Sequence, residues 1–223
     1  MNAPQTFFTP PPIDTKLPKV GTTIFTVMSA LALERNAVNL GQGFPDFDCD
    51  PKLVDAVTAA MKSGLNQYPP MPGVPKLRQL IADKIATLYG ARYDWGDEIT
   101  IAAGATQAIL TAVLAIVRPG DEVIVIEPVY DSYIPNIELA GGKVVSVPMT
   151  AEFRVPWAAV RAAVTPRTRA IMVNSPHNPS GMILRDADMR ELESIAVTNG
   201  LFVISDEVYE HMVFDGEPHQ SAS

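Results

Sequence analysis

The chain has 223 residues, 47% of them hydrophobic, with a formal net charge of −8 and one cysteine. That apolar content suffices for one large core, or for one domain plus part of another. The acidic balance argues against a nucleic-acid or acidic-membrane surface, both of which need a basic face, and favours a small ligand. Cys49 alone makes no internal disulfide, which suits a reducing cytoplasm. Met1 to Gln5 show no basic region of a signal peptide, and the apolar run from Ile109 to Val117 is too short to span a bilayer. The expectation is a cytoplasmic protein engaging neither nucleic acid nor membrane.

Residues Met1 to Pro18 contain Pro10-Pro11-Pro12 and no periodicity, which predicts an extended arm of the kind that wraps a partner subunit. From Thr22, the apolar residues Ile24, Phe25, Met28, Leu31 and Ala32 fall at helical spacing behind a threonine cap, predicting a helix to about Arg35. Asn39 to Asp46 reads as a short strand breaking into a glycine loop, where Gly41 and Gly43 either admit a ligand or simply turn the chain. Asp50-Pro51 is a cap followed by a first-turn proline, opening a helix through Leu53, Val54, Val57, Ala60 and Met61 that Gly64 stops. The prolines in Asn66 to Gly73 forbid regular structure, leaving Tyr68 on a stiff loop that is either functional or a linker. Pro75 to Tyr89 is a further helix ending at Gly90.

From Glu98 onward, strands and helices alternate. The pattern predicts strands at Ile99–Ala103, Glu122–Glu127, Lys143–Pro148, Arg169–Asn174 and Leu201–Asp206. Between them it predicts helices at Thr106–Val117, Asp131–Ala140, Pro156–Val164 and Asp186–Asn199. That rhythm implies a three-layer α/β/α fold with a mostly parallel sheet, whose ligand sits at the carboxyl ends of the strands. At those ends stand Gly104-Ala105-Thr106-Gln107 opening a helix, Tyr130 and Tyr133 after the second strand, Asn174 to Gly181 after the fourth, and Asp206 with Tyr209 one helical turn further on. Singly, each has a bland reading: Thr106 as an ordinary N-cap, the tyrosines as core, Asp206 as a cap on the next helix. Together they offer a phosphate cradle, an aromatic plate, an amide, a phenol and a carboxylate, an inventory that fits pyridoxal 5'-phosphate.

The chain also resembles the class I aminotransferases of fold-type I pyridoxal phosphate enzymes, closest to the branch of methionine aminotransferases and kynurenine or glutamine transaminases. The likeness rests on residues 21–30 and 39–47, Asn66-Gln67-Tyr68, Gly104-Ala105-Thr106, Tyr130 to Tyr133, Asn174 to Gly181 and Ser205 to Tyr209. The resemblance implies an aspartate-aminotransferase-like large domain over residues 49–223, preceded by an arm and small-domain segment over 1–48. It further implies that Ala105 and Thr106 hold the phosphate, Tyr130 stacks on the ring, Asn178 and Tyr209 contact its oxygen and Asp206 pairs with its nitrogen. By the same likeness, Tyr68 reaches the cofactor of a neighbouring subunit in a homodimer, and Gly43 lies against the substrate carboxylate. The implied reaction moves an amino group from methionine or a similar apolar or aromatic amino acid to a 2-oxo acid.

One departure stands out. The family's Schiff-base lysine follows the aspartate-tyrosine motif, whereas the last lysine here is Lys143. The expectation is therefore an incomplete large domain, an inactive N-terminal fragment, with its first strand lacking a neighbour. A carbon-sulfur lyase on the same scaffold and a non-catalytic fragment are the alternatives. A nucleotide-hydrolysing P-loop is disfavoured because Gly142-Lys143 lacks the rest of that motif, and a metal site because His177, His211 and His219 have no ligand spacing and read as solvated or capping. Arg161, Arg167 and Arg169 read as a solvated helix face.

Overall fold

The computed structural model describes residues 14–223 except Phe44 and Asp46. The Pro10–Pro12 part of the expected arm, and those two members of the glycine loop, lie outside the described residues. Helix α1 (Ile24–Glu34) starts at Thr23, whose hydroxyl accepts from the Thr26 amide, and α2 (Pro51–Lys62) starts at Asp50, whose carboxylate accepts from the Lys52 amide. Helix α3 (Pro75–Tyr89) ends on Gly90 in the left-handed region, the conformation that glycine adopts without strain. Each apolar stripe read in α1 and α2 is present but buries no residue, because neither helix contributes to the two core clusters on the sheet faces. Leu53, Val54, Val57 and Met61 on α2 are exposed.

The remaining elements are α4 (Ala105–Ile116), β1 (Glu122–Glu127), α5 (Tyr133–Leu139), β2 (Lys143–Pro148), α6 (Trp157–Ala163), β3 (Thr168–Asn174), α7 (Asp186–Asn199) and β4 (Phe202–Asp206). The four strands form one parallel sheet in the order β2-β1-β3-β4. Alternate residues of the central strands feed opposite faces, as a pleated strand requires. Ile124, Ile126, Ile171 and Val173 pack with Val160 of α6 and with Leu192 and Ile195 of α7. Val123, Val125, Ala170 and Met172 pack with Ile109 and Val113 of α4 and with Ile137 of α5. The result is a three-layer sandwich of the expected kind. Strand order reverses direction between β1 and β3, so the loops leaving these two strands flank a crevice at the carboxyl edge, where open α/β sheets bind ligands.

Three sequence expectations are corrected. Ile99–Ala103 is extended but not a strand. A strand needs a laddered neighbour, and here the Ile101 amide donates to the Pro72 carbonyl, while the Arg78 guanidinium donates to the Ile99 carbonyl. Asn39-Leu40 is likewise not a strand: the Asn39 carboxamide oxygen accepts from the Gly41 amide and its NH2 donates to Ser29, which bends the chain. Tyr209 sits in a turn rather than a helix. The bonds from Glu210 to Glu207 and from Met212 to Tyr209 span three residues and go no further, because Glu207 and Glu210 are pulled to different partners.

Candidate active site

The crevice holds a cleft of about 150 Å3 lined by Ala105, Thr106, Tyr130, Asn174, Asn178, Asp206, Val208 and Tyr209. Asp206 and Thr106 in the first turn of α4, 100 residues apart along the chain, thus face one cavity. Tyr68 and Gly43 are not among its lining residues. Both are solvent-exposed, Tyr68 completely so.

Helix α4 opens on Gly104, whose φ of 85° places it in the left-handed region. No side chain caps this end, so Thr106 is not the N-cap. The first backbone bond runs from the Ala108 amide to the Gly104 carbonyl, so the amides of Ala105, Thr106 and Gln107 precede the helical ladder. With the helix dipole behind them, such N–H groups favour an anion. The Gln107 side chain folds back to accept from the Ala103 amide at 2.5 Å, tightening the turn.

At the other end of the cleft, both carboxylate oxygens of Asp206 are engaged. Oδ2 accepts from the Tyr133 hydroxyl at 2.6 Å, and Oδ1 accepts from the Val208 amide at 3.2 Å. The second bond closes a turn rather than capping a helix, since residues 207–223 form no helix, and leaves the carboxylate facing the cleft. Tyr133 itself is buried, its ring meeting Tyr130 edge-on at 5.9 Å between centroids. Burial, followed by the hydrogen bond to Asp206, pushes the Tyr133 hydroxyl above the usual phenol range, so it remains a donor at neutral pH.

Asn174, at the end of β3, joins the loops. Its NH2 donates to the Asp206 carbonyl at 2.8 Å and its carboxamide oxygen accepts from the Asn178 amide at 2.7 Å. This side chain therefore sets the Asn178 loop against the end of β4. The Ser175–Pro176 and Asn178–Pro179 bonds within the loop are cis. Sequence reasoning assigned no role to Asn174 or Tyr133; their membership in runs of polar and aromatic residues at strand ends was the available signal.

The turn after β4 is anchored from outside the cleft. Burial pushes the Glu207 carboxyl up, but hydrogen bonds from the Ala222 amide, His219 and Ser205 outweigh it and hold the group below the usual carboxylate range. Glu210 takes hydrogen bonds from Lys84 and from the Tyr89 hydroxyl of α3. Of the histidines expected to be solvated or capping, only His211 is exposed; His177 and the ring of His219 are buried and hydrogen-bonded. The three arginines do not share a helix face either. Arg161 pairs with Glu191, Arg167 pairs with Glu122, and Arg169, in β3, lies over the Phe202 ring. Lys143 reaches Glu122 at 3.5 Å, at the amino end of the sheet and away from the cleft. Among the described residues, no helix is long and apolar enough to cross a membrane.

The sequence profile of the family described as "Aminotransferase class I and II" matches residues 35–222. Over 207 residues the chain is 49% identical to a probable N-succinyldiaminopimelate aminotransferase of Mycobacterium tuberculosis, covering 92% of this chain and 52% of that protein. It is 48% identical over the same span length to the methionine aminotransferase of Escherichia coli, covering 92% and 54%. A crystal structure from Escherichia coli, reported as identifying a methionine aminotransferase function, superposes with a TM-score of 0.92 at 46% identity, covering 96% of this chain and 57% of that one. The chain spans about half the length of these relatives. Enzymes of the family depend on pyridoxal 5'-phosphate. Matched over most of its length by the family profile, and by close relatives in both sequence and fold, the chain belongs to the class I and II aminotransferases.

Proposed function

We propose that this chain forms the cofactor-binding part of an enzyme that transfers an amino group from methionine, or a similar apolar or aromatic amino acid, to a 2-oxo acid. The supporting observation is the cleft itself, in which uncapped helix amides and a doubly hydrogen-bonded carboxylate face one cavity. This donor set fits pyridoxal 5'-phosphate, a cofactor with an anion at one end and a protonatable ring nitrogen within it. When bound, the cofactor supplies an electron sink for loss of the substrate's α-proton.

In this reading, the Ala105 and Thr106 amides and the Thr106 hydroxyl hold the phosphate. Tyr130 covers one face of the ring and excludes water there. Asn178 and Tyr209 donate to the phenolic oxygen. Asp206 holds a proton on the ring nitrogen, and the Tyr133 hydroxyl, donating to Oδ2, orients that carboxylate. The substrate preference rests on the methionine aminotransferase relatives. The fully exposed Tyr68 and the bare apolar face of α2 support a homodimer in which Tyr68 enters the neighbouring subunit's site and Gly43 approaches the substrate. Residues 1–48 then form the arm and a small-domain segment, and 49–223 the large domain. No lysine follows Lys143, so this polypeptide by itself has little or no transaminase activity.

Titrating the purified chain with pyridoxal 5'-phosphate, followed by equilibrium dialysis and by the circular dichroism induced in the cofactor band, tests the reading. Saturable binding is expected, weakened about tenfold or more by Asp206→Asn, since a hydrogen bond to a charged group contributes about 1.5–3 kcal/mol. Absence of saturable binding, or an Asp206→Asn chain that binds as well as the parent, overturns it. Transaminase turnover by the 223-residue chain alone would refute the inactivity. A 2-oxo-acid-dependent assay of the catalytically competent enzyme separates transfer from carbon-sulfur elimination, which the same donor set can serve.

A further inference from the structure

His177 is buried, and its ring spans the two loops that flank the cleft. Nε2 lies 2.9 Å from the Pro128 carbonyl, at the start of the loop carrying Tyr130. Nδ1 lies 2.8 Å from the Ser180 hydroxyl, in the loop carrying Asn178. The proton placement follows from the partners. A carbonyl only accepts, so Nε2 carries the hydrogen. The Ser180 oxygen already accepts from the Met182 amide at 3.2 Å, which leaves its single hydrogen free to point at Nδ1. The His177 backbone closes the same loop: its amide donates to the Met182 carbonyl and its carbonyl accepts from the Gly181 amide, both at 2.7 Å. The adjoining seam, lined in part by Val129, Tyr130, Asn174 and Asn178, encloses only about 10 Å3, at most one water. No solvent layer therefore separates the loops where the ring bridges them.

We propose that His177 is a positioning residue: as a neutral Nε2–H imidazole it fixes the separation between the Tyr130 loop and the Asn178 loop, and hence the width of the cleft. The link is directional. A phenyl ring fills the same space but grips neither loop, whereas a glutamine amide keeps the donor toward Pro128. The consequence for cofactor binding rests on the reading proposed above; the link between the loops does not.

Three measurements on the purified chain test the link. Long-range proton-nitrogen spectra of histidine-labelled protein at neutral pH should show His177 with Nε2 protonated and Nδ1 bare; an imidazolium or an Nδ1–H ring overturns the proposal. Amide exchange at Tyr133, whose N–H donates to the Tyr130 carbonyl, should quicken about tenfold in His177→Phe and recover in His177→Gln, while Val125 and Ile171 in the core keep their protection. Equal exchange in all three proteins, or a uniform rise that includes the core, overturns it. The dissociation constant for pyridoxal 5'-phosphate should rise about tenfold in His177→Phe and largely return in His177→Gln, the scale of one or two lost hydrogen bonds. If the unmodified chain fails to bind the cofactor, the functional reading falls, while the spectra and the exchange rates still decide the role of His177. Should His177→Phe fail to fold, the tautomer and the His177→Gln chain decide it.

Discussion

Asn174 provides the sharpest test of how the cleft is built. Asn174→Ala removes two bonds at once: the Asn178 amide loses its partner, while the Asp206 carbonyl keeps the bond from the Ser175 amide at 3.1 Å. A stranded buried polar group costs about 1–3 kcal/mol, nearer the lower end for the half-buried Asn178 amide, and the bond lost at the still-partnered Asp206 carbonyl adds about 0.5–1 kcal/mol, for a sum of about 2 kcal/mol. In urea, with a slope of about 2–3 kcal/mol per molar for a chain of this size, the midpoint should fall by about 1 M at unchanged slope. Circular dichroism and the fluorescence of Trp95 and Trp157 should report the same transition. Asn174→Asp adds a sign test. Its carboxylate still accepts from Asn178 but sets a second oxygen against the Asp206 carbonyl, so it should destabilise at least as much at pH 7. Protonation restores a donor, so that deficit should shrink below about pH 4. A loss under about 0.5 kcal/mol for Asn174→Ala, or an Asn174→Asp deficit that grows in acid, refutes the reasoning.

Two further outcomes follow from groups outside the cleft. The Glu122 carboxyl is held down at about 2 by hydrogen bonds from Thr165 and Arg167, with Lys143 adding attraction. Since the folded value lies below the unfolded value of about 4.3, its contribution is complete above that pH and is lost as pH falls toward 2. Acid-unfolding curves of Glu122→Gln should therefore be flatter than the parent's between about pH 4.5 and 2, and parallel curves would remove Glu122 from the account. Gly73 has a φ of 106°, and a β-carbon there would collide with the Ile101 side chain. Gly73→Ala should cost about 1–3 kcal/mol and raise amide exchange at Ile101, whose N–H donates to Pro72; an unchanged melting curve contradicts this.

Much of the architecture was legible along the chain because it depends on near neighbours. Thr23, Asp50-Pro51, Gly64 and Gly90 bound their helices through bonds that span a few residues. The apolar runs of β1 and β3 announced strands buried on both faces, and the order of the strand-end motifs placed Ala105, Thr106, Tyr130, Asn178, Asp206 and Tyr209 around one cleft. Periodicity could not say whether a face finds a partner. The stripes of α1 and α2 look as core-seeking as those of α4 and α7, yet they remain exposed, and Ile99–Ala103 is extended without a ladder.

The residues that hold the site in shape were hidden for the same reason. Tyr133 meets Asp206 across 73 positions, His177 meets Pro128 across 49, and Asn174 meets the Asp206 carbonyl across 32. Hydrogen bonds form only within about 3 Å and at defined angles, a geometry that residue type and spacing do not encode. Local sequence determined most of the helices and strands, though not whether Ile99–Ala103 would find a ladder, and which chemical groups stand at the strand ends. Only the packing of four parallel strands decided which of those groups touch, because separations of tens of residues become contacts when the sheet sets its loops side by side.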